Sequence, residues 1–459
     1  MIELIRLVLP YLFILYFVVK GIKEPFYFLG IPFLMFMSES IFFEGVKIFK
    51  MPGSLFYALM FIWLVLLWIV SIVITRKEDR DEISNTFRFN ILDYFIMGLL
   101  VISFAGLTYT LIKYSDIKDV LKEFIALLSL FASYFIIKKW SSQNKPELLV
   151  KFLYSLVIIN SIASFLFVLH QGLHLNIYHS EEFSAEIFQG EEITRSFWFM
   201  PQFLPFSVAF LLVFKDKKYF IFYLLLSVNL LAVFISYTRS SVINSLVIFL
   251  LYLLLTGLKK GRIGFVIKNV LLYGIFGVFG LLILSKVFPA NAKYLMNRFT
   301  ELSETSVTSG PNNMQYRFIM TKIIVSDINE NMKLFGMGPV TENQDPLVDP
   351  MRKSTADLVW TGVIYRWGFV GLVLFICLYI FSLMKGYSYY LESQNELSDL
   401  ALFFILFIVS QMIESFVSWT FMSGHGFAIG LWYFAMLSAL LGFKQDEEVS
   451  DVKINYISD

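Results

Sequence analysis

The sequence predicts an all-α fold: a polytopic transmembrane helical bundle of about 12–13 spans with a long, partly helical extracytoplasmic loop. Three observations carry this. The 459 residues are 58% apolar and only 16% charged, against about 45–50% and about 25% in average soluble domains. Apolar runs of about 18 residues or more recur along the chain, each able to cross about 30 Å of hydrocarbon as a helix. The ten-residue alternation of a membrane barrel is absent.

Taken in order, residues 1–170 form the N-terminal transmembrane helices, with spans near 5–20, 25–45, 54–75, 91–112, 117–138 and 148–170. The first two are the weakest, so the total is 12 or 13. The opening MIELIRLVLPYLFILYFVVK reads as an uncleaved span, because no small-residue cleavage site follows it. A short external loop at 171–196 carries Glu181, Glu182, Glu186, Glu191 and Glu192. The central transmembrane helices occupy 197–287, with spans near 197–215, 218–236, 240–257 and 265–287. The long external loop, 288–358, far exceeds an ordinary connection. Within it Tyr316, Ile319, Met320, Ile323 and Ile324 recur at helical spacing, which predicts an amphipathic helix lying on the bilayer or the bundle. The C-terminal transmembrane helices fill 359–443, with spans near 359–384, 399–417 and 421–443, before a cytoplasmic tail at 444–459.

Orientation follows from Lys and Arg in the short loops. The alternate loops carrying Lys20, Lys23, Arg76, Lys77, Arg80, Lys138, Lys139, Lys215, Lys217, Lys218, Lys259 and Lys260 hold more than twice the basic residues of the opposite set. They are read as cytoplasmic, and the C-terminus with them. A bacterial cytoplasmic membrane with both long loops outside is the expected location.

Charge narrows the function. Lys and Arg total 37 and Asp and Glu 36, for a net charge of +1, which excludes a basic nucleic-acid binder and an acidic disordered scaffold. The single cysteine, Cys377, excludes internal disulfides and cysteine-rich metal sites. No phosphate-cradling glycine loop, nucleophile elbow or nucleotide-binding domain is present, so no cofactor is expected. The run EDRDE at 78–82 reads as a solvated charge cluster. His170, His174 and His179 lack an acidic ligand in a recognisable metal motif.

Charges near bilayer depth are costly and mark function by default. Arg195 in ITRSFWFMPQ, Arg239 in SYTRSSV and Arg366 before the apolar run 367–384 all reach the external level in this orientation. So do Glu39, Glu44, Gln411, Glu414 and His425. Each alone could be an interfacial anchor. Several arginines on one side suit an anion, because guanidinium grips phosphate oxygens through paired donors and stays charged in apolar surroundings. A lipid-linked phosphate or diphosphate is the anion found at that depth.

The second half, roughly 195–385, resembles the bacterial O-antigen polymerase and ligase superfamily (Wzy-type polymerases and their ligase relatives). The resemblance rests on SYTRSSVINSLVIFLL, RFIMTKIIVSDINENMKLFGMGP and ADLVWTGVIYRWGFVGLVLF, in that order around the long loop. Arg317, followed by Phe335-Gly336-Met337-Gly338, is similar to the family's arginine, helix and "fGxG" pattern. Gly368-Phe369-Val370-Gly371 is similar to its "GliG" element. The resemblance implies a glycosyltransferase that takes a glycan from an undecaprenyl-diphosphate carrier at the outer face of the membrane. It implies Arg195 and Arg239 on the donor diphosphate and Arg317 as a loop contact. Ligases of the family usually carry histidine about eleven residues before the "GliG" glycine. Asp357 stands there, which favours the polymerase branch.

The chemistry expected is inverting and metal-independent. Arginines stabilise the departing diphosphate, and a carboxylate removes the acceptor proton. Asp357 and Arg317 are the expected catalytic residues; Arg195, Arg239, Arg366 and Glu414 the expected substrate-binding ones. Glu181, Glu182 or Glu414 are alternatives for the base, and Asp357 as a first-turn helix charge is the structural alternative. The partners implied are the lipid-linked oligosaccharide, the bilayer, and a flippase and chain-length regulator of the same pathway. Ligase-type transfer of finished glycan, a lipid-linked oligosaccharide flippase, a scaffold, and a polyprenyl-monophosphate glycosyltransferase are the competing functions. Single cysteines at Arg195→Cys and Arg239→Cys, with Cys377 replaced by serine, are expected to react with a membrane-impermeant maleimide from the same side. Labelling from opposite sides would break the topography.

Overall fold

The computed structural model describes residues 2–37, 61–69, 89–113, 117–172, 184–188, 191–195, 200–214, 220–235, 239–262, 334–338, 359–417 and 430–443, with isolated positions at 59 and between 264 and 326. The helices are α1 (Ile2–Lys23), α2 (Gly30–Met37), α3 (Ile91–Lys113), α4 (Ile117–Ser142) and α5 (Pro146–Gly172). They continue as α6 (Met200–Phe214), α7 (Phe220–Ile235), α8 (Arg239–Lys259), α9 (Val359–Glu392), α10 (Asn395–Val417) and α11 (Gly430–Phe443). Residues 61–69 are also helical. Among the described residues, six helices are long and apolar enough to cross a membrane, and four further apolar helices are shorter. The chain is an all-α, multi-pass membrane protein. The expected spans near 54–75 and 265–287 lie largely outside the described residues, as does most of the 288–358 loop. Of its expected amphipathic helix, positions 322, 323, 325 and 326 are helical.

Three local expectations are corrected. The 171–196 loop contains a hairpin, β1 (Ser184–Phe188) and β2 (Glu191–Arg195), paired antiparallel with Ser184 opposite Arg195. Alternation of Ala185, Ile187 and Ile193 with polar neighbours is the period-2 signal that its acidity hid. The expected span at 25–45 opens as a 3₁₀ turn, Pro25–Leu29, because Pro25 cannot continue α1. Tyr27 N donates to the Glu24 carbonyl at 3.0 Å, and Phe26, Tyr27 and Leu29 are buried. The third correction concerns α9 and belongs to the site.

Lipid gives helices no hydrophobic reason to associate, so shape and polar contacts must do it. The aromatic wealth of the sequence serves that end. Phe33 of α2 meets Phe152 of α5 at 5.8 Å and Trp432 of α11 at 4.9 Å. Phe206 of α6 meets Phe403 and Tyr433 at 5.4 and 5.3 Å, and Phe407 of α10 meets Tyr433 at 4.3 Å. Edge-on and tilted rings at these distances interlock neighbouring helices.

Buried polar groups supply the rest. Asn160, Ser161 and Ser164 of α5, Ser207 of α6 and Asn229 of α7 form one network. Asn160 Nδ2 donates to Ser207 Oγ at 2.7 Å, Asn229 Nδ2 to Ser161 Oγ at 2.7 Å, and Ser164 Oγ to Asn229 Oδ1 at 3.1 Å. A second network centres on Asp93, fully buried in the first turn of α3. Asn90 and Asp93 cap that helix reciprocally. Asn90 Oδ1 accepts from Leu92 N at 3.1 Å, and Asp93 Oδ2 accepts from Asn90 N at 2.6 Å. Lys138 of α4 pairs with the same carboxylate, while Tyr134 OH and Ser438 Oγ donate to Oδ1 at 2.8 and 3.0 Å. The cluster ties α3, α4 and α11 together.

Lys259, the last residue of α8, fixes the register of that end of the bundle. Its ammonium donates to the Ser393 carbonyl at 3.0 Å and to Ser398 Oγ at 2.6 Å, and lies 4.4 Å from the centre of the Tyr390 ring. A cation at the C-terminus of α9 meets carbonyls that helix geometry leaves orphaned.

Removing one partner of a buried ion pair leaves an uncompensated charge, at a cost of about 3–5 kcal/mol. Lys138→Met is therefore expected to lower the thermal midpoint of the purified protein in detergent, and Asp93→Asn/Lys138→Met to recover most of the loss. Equal melting of Lys138→Met and the wild type would remove the pair from the account.

Candidate active site

Helix α9 is broken. Gly368 has φ 66° and ψ −167°, so the turn carrying Arg366 is offset from the run that follows. The apolar run at 367–384 was expected to be unbroken; its hydropathy is uniform, and only the glycine betrays the break. The break frees the carbonyls of Tyr365 and Arg366 from their usual partners four residues on. In lipid an orphaned carbonyl costs several kcal/mol, so it must find another donor.

The donors come from the end of the long loop. Met337 N donates to the Tyr365 carbonyl at 2.7 Å, and Gly338 N to the Arg366 carbonyl at 3.2 Å. In return Val370 N donates to the Leu334 carbonyl at 3.3 Å. The FGMG segment, 335–338, and the GFVG step, 368–371, therefore form one clasp. A Cβ at Gly368 would stand 2.0 Å from the Leu334 carbonyl oxygen, and positive φ already disfavours any other residue. The clasp is seated on α3, where Gly106 and Gly338 are in backbone contact: a Cβ on Gly338 would lie 2.4 Å from the Gly106 oxygen. Thr110 Oγ1 reaches both the Met337 and the Gly106 carbonyls at 2.8 Å. Trp367, fully buried, donates through Nε1 to Ser103 Oγ at 2.9 Å.

The clasp and the expected arginine positions lie at the end of the bundle opposite Lys259. Gly368 is 22 residues from Tyr390 along α9, about 33 Å at 1.5 Å per residue. Arg239 opens the 21-residue α8 that Lys259 closes, which separates them by about 30 Å. Glu414 lies in the last turn of α10, 16 residues or about 24 Å beyond Ser398. Phe206 and Phe210 of α6 meet Phe407 and Phe403 in antiparallel order, at 6.0 and 5.6 Å, so the start of α6 faces this same end. Arg195 ends β2, five residues before α6 begins. The backbone thus brings positions 239, 366 and 414 to one end, with Arg195 a short stretch of chain from the start of α6. The half-buried Arg366 sits in the turn that the clasp holds. Arg317 and Asp357 lie outside the described residues, as do Glu39, Glu44, Glu181, Glu182, His174, His179 and His425.

One turn inward from Arg239, the Ser241, Asn244 and Ser245 side chains are buried with no hydrogen-bond partner among the described residues; Ser410 of α10 is in the same condition. Unsatisfied groups in a native interior call for an explanation, such as a ligand or ordered water. Among the described residues, no group of three His, Cys, Asp or Glu could hold a metal ion.

Sequence reasoning missed Ser103, Gly106 and Thr110. The faint signal was a small-xxx-small pair, Gly106 and Thr110, inside an apolar helix. Replacing Gly368 by alanine adds strain at positive φ and a carbonyl clash. Gly368→Ala is expected to destabilise the protein by at least about 2 kcal/mol, read as a lowered thermal midpoint. Wild-type melting would show that the break is not held as described.

No curated protein matches the chain closely enough to name a relative. Residues 221–376 match the family model for O-antigen ligase, about a third of the chain. The matched stretch holds α7, α8, the long loop, the clasp and the first half of α9, with Arg239, Arg317, Asp357 and Arg366; Arg195 and Glu414 fall outside it. On the stretch that carries the clasp, the chain is therefore similar to the O-antigen ligase family.

Proposed function

We propose that this membrane protein, of O-antigen ligase or polymerase type, polymerises undecaprenyl-diphosphate-linked repeat units into a surface polysaccharide at the outer face of the cytoplasmic membrane. The observation that carries the reading is the position of residues 239, 366 and 414 at one end of the bundle, opposite the Lys259 clamp. The buried Ser241, Asn244 and Ser245 side chains, without partners among the described residues, support a polar ligand near Arg239.

In this reading the guanidinium groups of Arg195, Arg239 and Arg366 hold the donor diphosphate. An acceptor sugar hydroxyl attacks the anomeric carbon of the donor glycan from the face opposite the diphosphate. The new C–O bond forms as the bond from that carbon to the diphosphate oxygen breaks, with inversion. The electron pair leaves on the diphosphate, whose charge the arginines stabilise, Arg317 joining them from the loop. The hydroxyl proton passes to the Asp357 carboxylate. Guanidinium rather than a metal ion supplies the positive charge, and a diphosphate is already a good leaving group. Glu414 lies at the depth of the acceptor. Asp357 in the position where ligases of the family carry histidine favours polymerisation over transfer of finished glycan. A flippase would need charge along a central path; here the arginine positions collect at one end.

Purified protein supplied with lipid-linked repeat units is expected to extend them without ATP or divalent metal. Arg239→Ala is expected to lower that rate by at least about 100-fold, as loss of one charge-stabilising donor does elsewhere. Transfer to a non-glycan acceptor without chain growth would favour the ligase reading. Full activity of Arg239→Ala would remove the arginine from the chemistry.

A further inference from the structure

We infer that Thr110 of α3 is a positioning residue for Arg366, acting through the clasp rather than by touching substrate. The inference rests on the assignment of Arg366 to the diphosphate in the function proposed above. Its basis is the route of hydrogen bonds. Arg366 stands two residues before the break at Gly368, where the helix no longer fixes its backbone. Its carbonyl is held by Gly338 N, and that of Tyr365 by Met337 N. Met337 is in turn held by α3: its carbonyl receives the Thr110 hydroxyl at 2.8 Å, and its side chain is buried.

A hydroxyl carries one proton, so Thr110 shares it between the Met337 and Gly106 carbonyls. That sharing registers the loop segment against α3 at the point where Gly106 and Gly338 touch. Three elements far apart in sequence, α3, the loop end and the broken turn of α9, are fixed by this one buried side chain. Thr110 is fully buried and has no route to a ligand of its own. Without its proton the Met337 carbonyl loses its donor, the segment can slide along α3, and the turn bearing Arg366 moves with it. Displacements of about an ångström in a positioned charge are enough to lose binding.

The test uses the full-length protein in lipid nanodiscs with sugar-free undecaprenyl diphosphate as the probe, and reads its Kd. Arg366→Ala is expected to weaken binding about tenfold, the size of one charge-assisted contact. Thr110→Val, which keeps shape and removes the proton, is expected to weaken it by a similar factor. Thr110→Ser is expected to bind as the wild type does. The decisive comparison is Arg366→Ala/Thr110→Val, expected to bind no worse than Arg366→Ala alone. Additive losses, failure of the serine rescue, or wild-type affinity in Thr110→Val when Arg366→Ala is impaired would overturn the positioning role and leave the functional reading standing. No binding by the wild type would overturn that reading, and this inference with it.

Discussion

A membrane helix cannot break without replacing the hydrogen bonds it loses, and this constraint organises the end of the bundle where the chemistry is proposed. At Gly368 the chain accepts the break, and the loop segment 334–338 supplies the missing donors. Everything else at that end follows from the exchange. The long loop must return to the bundle at a defined place, α3 must present a glycine for close approach, and Arg366 must sit on a short turn whose direction is set by the clasp.

The opposite end is built by other means. The Asp93 cluster and the Lys259 clamp use ionic and charge-assisted contacts, each fully engaged, to lock helix termini where the backbone leaves groups unpaired. The middle relies on interlocked rings and the Asn160–Asn229 network. Beside Arg239, the Ser241, Asn244 and Ser245 side chains are buried without a hydrogen-bond partner among the described residues. Buried polar side chains close to the Arg239 position suit a polar ligand at that end.

Much of this was legible in the sequence, for physical reasons. Span positions follow from the length and apolarity of each run, so α3, α5, α7 and α8 fall within a few residues of their expected bounds. What hydropathy could not show is any feature whose signal is not apolarity. The break at Gly368 interrupts backbone geometry without changing composition. The hairpin at 184–195 is short and acidic. The partnership of Lys138 with Asp93 joins a residue that sequence reading counts as loop charge to one that it does not single out. Thr110 earns its role only through a contact 227 positions away. The two glycine patterns were visible singly; their union needed three dimensions.

The central claim is that the arginine positions at the clasp end form one grip for a polyprenyl diphosphate. A cryo-EM map of the protein in nanodiscs saturated with undecaprenyl diphosphate tests it most directly. The account predicts diphosphate density within hydrogen-bonding reach of the Arg239 and Arg366 guanidinium groups, with the isoprenoid leaving toward lipid. Density bound elsewhere, or those two side chains directed separately into lipid and bulk water while the ligand is held by other residues, would contradict it.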